Sequence, residues 1–328
     1  MPIIHCLGGG LVGSFVVNKL FQLGYEVHLF DIVERETKAI FHLGDAIAAD
    51  HSNADLIINM LPGSIGHIGT DSLKDSGKMI VDLSFSEFTP DNLGDVNSKI
   101  LWDVGIAPGL SNMIISKTLR EWGGLDNVTI KVGGNPSFPD GDWSYMAPFS
   151  PHDVIAEYTR DARVIRDGVE TNLPAMSELH SIDANGREME AFLTDGLRSL
   201  LKVPAKNMGE YTVRWPGHIQ KYQDSNLEAG DLVDAWKYDP NRSEFTWMEV
   251  SMDYGENNRK WLIEDSGRDG DSSMARTTGL VTTFCALALL NKPETLEYGV
   301  YAPEDLPDEI IDYIVETMIS EGVSIEII

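Results

Sequence analysis

Cysteine is nearly absent: Cys6 and Cys285 are the two in 328 residues, too far apart in sequence for a zinc spacing or a disulfide framework. A reducing, cytoplasmic setting is the expectation. Basic residues are also scarce, with 25 Lys+Arg against 52 Asp+Glu and a formal net charge of -27. A field of that sign repels nucleic acid phosphates and anionic lipid headgroups, so neither is an expected partner. The acid excess itself reads as a solvated surface or as adaptation to salt or acid. No run of about 18 apolar residues occurs, and no basic segment precedes an apolar core at the N-terminus, so neither a membrane span nor an export signal is expected. Also missing are a Gly-x-Ser-x-Gly elbow, a Cys-His pair and any His/Asp/Glu/Cys cluster at metal spacing. Covalent catalysis and a resident metal are therefore not expected.

What remains is a globular composition, 42% hydrophobic and 23% charged, with no internal repeat, in a chain long enough for two domains. Residues 3–7 form an apolar run that ends in Gly8-Gly9-Gly10, and Val12 to Leu23 then reads as an amphipathic helix. A second strand, Glu26 to Phe30, ends at Asp31, and Glu34 to Leu43 reads as helical. Further strands are predicted at 54–61, 78–83 and 100–104. Such βαβ alternation predicts an α/β fold with a Rossmann-type, doubly wound parallel sheet. After Gly105 the strands at 128–132, 212–215, 245–254 and 260–265 have an antiparallel texture, with a hairpin loop at Gly255-Glu-Asn-Asn258. Helices at 280–290 and 308–321 close the chain, and their apolar faces are expected to return to the first domain. The expected division is 1–107 plus 276–328 for the dinucleotide domain and 108–275 for an inserted α+β domain.

Gly8-Gly9-Gly10-Leu11-Val12-Gly13 satisfies G-x-G-x-x-G between a strand and a helix. Gly8 permits the tight turn, Gly10 lets backbone approach a pyrophosphate and Gly13 allows close packing, while Leu11 and Val12 between them belong to the expected cofactor site, where the helix N-terminus supplies unpaired N–H groups. Asp31 falls eighteen residues after Gly13, where an acid hydrogen-bonds a ribose 2′-hydroxyl and repels a 2′-phosphate. NAD is the expected cofactor, over NADP. The loops after the next strands, with Asn59, Leu61 and Pro62 and then Asp82 and Leu83, are expected to flank ribose and nicotinamide. Asp50 either approaches the adenine or is a solvated loop acid.

From Asp103 the chain reads Asp-Val-Gly-Ile-Ala-Pro-Gly-Leu-Ser-Asn112, and this resembles the D-x-G-x-x-P-G-x-x-N stretch of the saccharopine dehydrogenase-like family, in particular its lysine 6-dehydrogenase-like members. Gly133-Gly-Asn-Pro136, Trp143-Ser144, the segment Ser150 to Thr159, Glu190 to Arg198 with its Thr-Asp-Gly-Leu-Arg, Arg214-Trp-Pro-Gly-His218 and Gly299 to Glu304 follow in the order of that resemblance, which spans essentially the whole chain. It implies a Rossmann domain, an inserted mixed sheet that supplies the substrate site and homodimer contacts, and C-terminal helices returning to the first domain. It also implies an oxidoreductase acting on CH-NH or CH-NH2 donors with a small amino acid substrate. Two activities stand out: oxidation of the ε-amine of lysine to a semialdehyde that cyclises, and oxidation of a saccharopine-type secondary amine. A non-catalytic NAD sensor is the reading outside enzymes. The chain departs from the pattern in its acidity, its compactness and Trp215 in the Arg-x-Pro-Gly-His segment.

Oxidising an amine-bearing carbon needs the neutral amine, so the protein has to provide a base. His218, His180, Glu178, Asp82 and Asp103 are the candidates, each in a segment expected near the domain interface; for His218 the alternative is a histidine satisfied by backbone groups. An α-carboxylate suits the planar fork of an arginine, Arg214 first and Arg198 second, unless Arg214 pairs with an acid instead. Trp143, Tyr145 and Trp215 either wall off the aliphatic part of a substrate or belong to core. Pro108 shapes the turn into the next helix, where Asn112 either nears the cofactor amide or caps the helix.

Overall fold

The computed structural model describes residues 1–328. In chain order, the first stretch carries β1 (Ile3–Leu7), α1 (Leu11–Gln22), β2 (Glu26–Asp31), β3 (Ile40–Leu43), β4 (Leu56–Asn59), α2 (Gly63–Leu73), β5 (Met79–Asp82) and β6 (Lys99–Leu101). Next come α3 (Leu110–Trp122), β7 (Asn127–Pro136), α4 (Pro151–Thr159), β8 (Ala162–Arg166), β9 (Val169–Leu173), β10 (His180–Asp183), β11 (Glu188–Thr194) and β12 (Asn207–Arg214). The rest is α5 (His218–Asp224), α6 (Ala229–Ala235), β13 (Glu244–Tyr254), β14 (Asn257–Ser266), α7 (Ser273–Asn291), β15 (Gly299–Tyr301), α8 (Asp308–Ser320) and β16 (Ser324–Ile327). Two compact units result: Met1–Leu110 with Ala275–Met318, and Ser111–Met274 with Ile319–Ile328.

In the first unit seven parallel strands run in the order β15-β6-β5-β4-β1-β2-β3. The chain moves outward from β1 through β2 to β3, then returns to β4 on the other side of β1. That reversal makes the end of β1 a topological switch point. Every residue of β4 and β5 is buried, as befits strands covered on both faces. α1 turns Phe15, Val16, Val17 and Leu20 inward, and α7 lies so close to it that a Cβ at Gly279 would come within 2.4 Å of the Phe15 ring. Thr282 of α7 donates to the Val104 carbonyl at 2.6 Å. α7 has the length and apolarity of a membrane span, but 89% of it is buried.

The helix expected over 34–43 does not form. Thr37 Oγ1 accepts from the Ala39 N–H at 3.1 Å and holds a turn there, and 40–43 pair in parallel with β2 as β3. Side-chain capping of a turn competed with helix formation and won.

The second unit is a mixed nine-stranded sheet, β10-β11-β12-β7-β13-β14-β16, with the β8–β9 hairpin set off β12. β12 and β7 are parallel neighbours and the other pairs are antiparallel. β13 and β14 close around Gly255-Glu256, a tighter turn than the four-residue loop expected, with Gly255 at φ +59°. The expected return of 276–328 to the first unit stops short, because β16 pairs with β14 and takes residues 319–328 into the second unit.

Candidate functional site

β1 delivers the chain into Gly8, whose φ is +95° and where a Cβ would stand 2.8 Å from the Met60 carbonyl oxygen. Gly13 is tighter: its Cβ would lie 2.2 Å from the carbonyl oxygen of Gly8. Gly10 has open space around it and precedes α1 with no side chain capping the helix. Exposed Leu11 and half-buried Val12 follow in the first turn. Bare backbone at an uncapped helix start is the geometry that receives a pyrophosphate.

Asp31, at the end of β2, is drawn into this turn. Its Oδ2 accepts from the Gly9 N–H at 2.8 Å and from Arg35 Nε at 3.0 Å, and its Oδ1 accepts from the Val33 N–H at 2.8 Å. Burial works to raise its pKa, yet these donors and the Arg35 charge hold it below the usual range. A carboxylate has about four acceptor positions, so three donors leave room for a ribose hydroxyl. The glycine cradle and this acid thus fit a dinucleotide.

Asn59 and Asp82 close inward. Asn59 is fully buried, and its Nδ2 donates to the Gly66 carbonyl at 2.8 Å, Thr70 Oγ1 at 2.9 Å and Asp82 Oδ2 at 3.3 Å. Asp82 also accepts from Thr70 Oγ1 and, at 2.6 Å, from the Ser84 N–H. Burial pushes its pKa up to about 6 against those hydrogen bonds. The two side chains tie β4, α2 and the loop after β5 together. Leu61 is buried, Pro62 is exposed at the start of α2, and Leu83 is half-buried with its N–H on the Asn59 carbonyl. Asp50 is an exposed loop acid accepting from the Ser52 N–H. Buried Pro108 closes a turn in which the Gly105 N–H donates to its carbonyl at 3.0 Å.

In the second unit Arg214 and His218 meet through a residue that sequence reasoning passed over, Tyr158. Arg214 Nε donates to the Tyr158 phenol at 2.9 Å, Nη2 donates to the Tyr145 phenol at 3.3 Å, and Nη1 donates to the Val213 carbonyl at 2.9 Å. The guanidinium carbon sits 4.3 Å from the Tyr145 ring centre. Three of the five guanidinium N–H donors of Arg214 are therefore used, two of them on phenols. His218 Nδ1 is 3.0 Å from the Trp143 carbonyl, which only accepts, so Nδ1 carries the proton. Nε2 is then the acceptor for the Tyr158 hydroxyl at 3.1 Å. Burial, with Arg214 beside it, pushes His218 down to about 3, and the ring is neutral and 2% exposed. His218 is thus bonded to one backbone carbonyl and one phenol, where the alternative named from the sequence had backbone groups alone.

Trp143, Tyr145, Tyr158 and Trp236 pack with Phe192, Ile219 and Leu232 into one core around this chain. Burial raises the Tyr145 phenol, and Tyr158 is pushed up to about 12, so both stay protonated. Glu157 adjoins them, with Oε2 3.9 Å from Arg214 Nη2. Burial pushes its carboxyl up to about 7. The signal for both lay in Ser150 to Thr159, where Ser150 caps α4 and Pro151 opens it.

Glu178 and His180 have other company. Arg166 donates to both oxygens of Glu178 at 3.0 Å, Tyr211 donates to it at 2.5 Å, and the exposed His180 shares its Nδ1 with the Glu178 carbonyl. Those contacts make an ion pair on the β8 and β12 side of the sheet. Arg198 is buried, with φ +49°. Asn112 sits in the first turn of α3 and donates to Ser199 Oγ at 3.0 Å. Trp215 is half-buried and donates to the Pro136 carbonyl. No group of three or more His, Cys, Asp or Glu side chains is arranged to hold a metal ion.

The model of the saccharopine dehydrogenase C-terminal domain family matches residues 105–323. Saccharopine dehydrogenase (L-Glu forming) from Saccharomyces cerevisiae superposes with a TM-score of 0.73 over 100% of both chains at 14% identity, a likeness of fold. Two further solved structures are DAP dehydrogenase from C. glutamicum, with TM-score 0.48 and 10% identity over 98% of this chain and 99% of its own, and aspartate dehydrogenase from Thermotoga maritima, with TM-score 0.44 and 11% identity over 91% and 99%.

Proposed function

The chain belongs to the saccharopine dehydrogenase family, and on that premise we propose that it is an NAD-dependent amino acid oxidoreductase that oxidises a side-chain carbon–nitrogen bond, with the ε-amine of L-lysine as the first substrate to test. The observation that carries the reading is the glycine cradle ending at Asp31, since a Cβ at Gly8 or Gly13 would close it and the acid stands where a ribose is read. Bound there, NAD would supply the hydride acceptor. Asp31 favours NAD because its charge opposes a 2′-phosphate, and Arg35 is already paired to it.

The overall change is balanced as lysine ammonium, water and NAD going to aldehyde, ammonium ion, NADH and a proton. The protein's part is to bind the amino acid, shed water around the amine and take the ammonium proton before the carbon is oxidised. Arg214 holds the phenols of Tyr145 and Tyr158 in place, so in this reading it is a positioning residue.

The test is formation of NADH by the purified protein with lysine, ornithine, saccharopine and simple diamines at mildly alkaline pH, repeated with NADP. Turnover with lysine establishes the primary-amine reaction, and turnover with saccharopine alone moves the assignment to a secondary amine. NAD binding with no turnover on any amine leaves a sensor and ends the enzymatic reading.

A further inference from the structure

Glu157 is a carboxylate without a hydrogen-bond donor, beside an arginine and two phenols that are bonded to one another. Val154 and Tyr158 of α4 are buried, and Glu157, on the same helix, keeps 17% of its side chain exposed. Arg214 is the nearest cation, but 3.9 Å is beyond hydrogen-bond reach and its nitrogens donate to Tyr158, Tyr145 and Val213. Arg160 lies 3.7 Å from Asp195 Oδ2, and Asp153 adds like charge on the same helix. The phenols of Tyr145 and Tyr158 complete the set of titratable neighbours. A partly buried carboxylate left in this condition is short of an N–H donor, and desolvation makes that shortage costly.

We propose that Glu157 receives the substrate's amine, both as the recognition partner of the ammonium and as the base that removes its proton. This rests on the oxidoreductase reading above and names the residue that reading lacks. In the step an N–H bond of the ammonium breaks, an O–H bond forms on Glu157, and the electron pair stays on nitrogen as the lone pair that oxidation of the adjacent carbon requires. Arg214 assists without touching the substrate. Its positive charge disfavours a second cation at Glu157, and loss of water around the ammonium acts the same way, so both lower the amine's proton affinity. A carboxyl held at about 7 by burial is ready to take that proton near neutral pH and return it to solvent.

The test compares wild type with Glu157→Gln and Glu157→Asp, using lysine or whichever amine the panel identifies. Loss of a general base costs about 10²- to 10⁴-fold, so kcat/KM of Glu157→Gln should fall by at least ~100-fold. The Kd for NAD should stay unchanged, because the cradle is built from the other unit's residues. The rising limb of the wild-type kcat/KM profile around pH 7 should vanish in Glu157→Gln and reappear, shifted, in Glu157→Asp. A Glu157→Gln enzyme with wild-type kcat/KM and the same limb overturns the assignment while leaving the oxidoreductase intact. If Glu157→Gln does not fold, an unshifted limb in Glu157→Asp overturns it equally. If wild type reduces NAD with no amine, the functional reading fails, and calorimetry with lysine then decides. Binding by wild type and not by Glu157→Gln keeps the amine site, and equal binding by both ends it.

Discussion

The Tyr158 hydroxyl donates to Nε2 of His218, 3.1 Å away, and this bond fixes which of the two can act. With the Trp143 carbonyl on Nδ1, every hydrogen-bonding position of the imidazole is filled. Arg214 Nε in turn donates to the same phenol oxygen, so the chain of donors runs one way, from guanidinium to phenol to imidazole to carbonyl. A histidine at the end of such a chain holds a geometry and has no lone pair left for a substrate.

Replacing Tyr158 by Phe keeps the ring and removes the link. Arg214 Nε and His218 Nε2 then lose a partner inside a core, at a cost of about 1–3 kcal/mol for an unsatisfied buried group. Urea unfolding of Tyr158→Phe should give an unfolding free energy lower by that amount, with the midpoint lowered accordingly. An unchanged midpoint would mean that the hydroxyl adds no net stability.

Gly10 and Gly13 should separate binding from folding. A methyl at Gly13 meets the Gly8 carbonyl oxygen at 2.2 Å, and backbone cannot retreat cheaply, so Gly13→Ala should lower the melting temperature and abolish NAD binding together. A methyl at Gly10 meets nothing within 4 Å. Gly10→Ala should therefore melt like wild type but weaken NAD by roughly tenfold or more, because the methyl stands where the pyrophosphate approaches. Calorimetry and a thermal melt on the two proteins read both effects.

Asp31→Ala removes the ribose acceptor and frees Arg35 from its 3.0 Å ion pair. The ratio of kcat/KM for NAD to that for NADP should fall by about 10- to 100-fold, since an arginine fork suits a 2′-phosphate. A ratio that does not move would place cofactor choice outside this residue.

Acid should weaken the first unit through His5. This ring is 1% exposed on β1, and its Nδ1 is 2.8 Å from Nδ1 of His51, whose Nε2 donates to the Ala46 carbonyl. Burial, then the neighbouring His51, His28 and His42 and Lys78, push His5 down to about 4. The folded protein thus takes up its proton at lower pH than the unfolded chain, whose histidine titrates near 6.5. The stabilising share is present above that value and drains away as pH falls from about 6.5 to 4, roughly 2 kcal/mol by pH 5. Asp82 and Glu157, raised by burial, shift in the opposite sense. The quantity to measure is therefore the difference in unfolding free energy between pH 7 and pH 5, which should shrink in His5→Phe.

Much of the first unit was legible because its strands are continuous apolar runs and its turn is punctuated by glycines with fixed steric duties. Residues 34–43 misled because Glu, Arg, Lys and Ala favour helix on average, while Thr37 offered its hydroxyl to the backbone and Ile40 to Leu43 found an open ladder on β2. In the second unit Arg214 and His218 stood out as functional residue types, but their roles turned on partners far away in sequence. Tyr158 is 56 residues from Arg214 and 60 from His218, and no local pattern announces such a meeting. Glu178 and His180 drew attention for the same reason; Glu178 is ion-paired with Arg166, and His180 meets the Glu178 backbone carbonyl.

β16 has one more consequence. It occupies the outer position next to β14, pairing Ile325 with Ile263 and Ile327 with Trp261, and it is four residues long with Ser324 and Glu326 among them. Without it, the ten-residue β14 would present its unpaired N–H and C=O row to solvent, an invitation for another molecule to add a strand. This short strand therefore bears on whether the protein stays in solution as separate molecules, quite apart from any chemistry it performs.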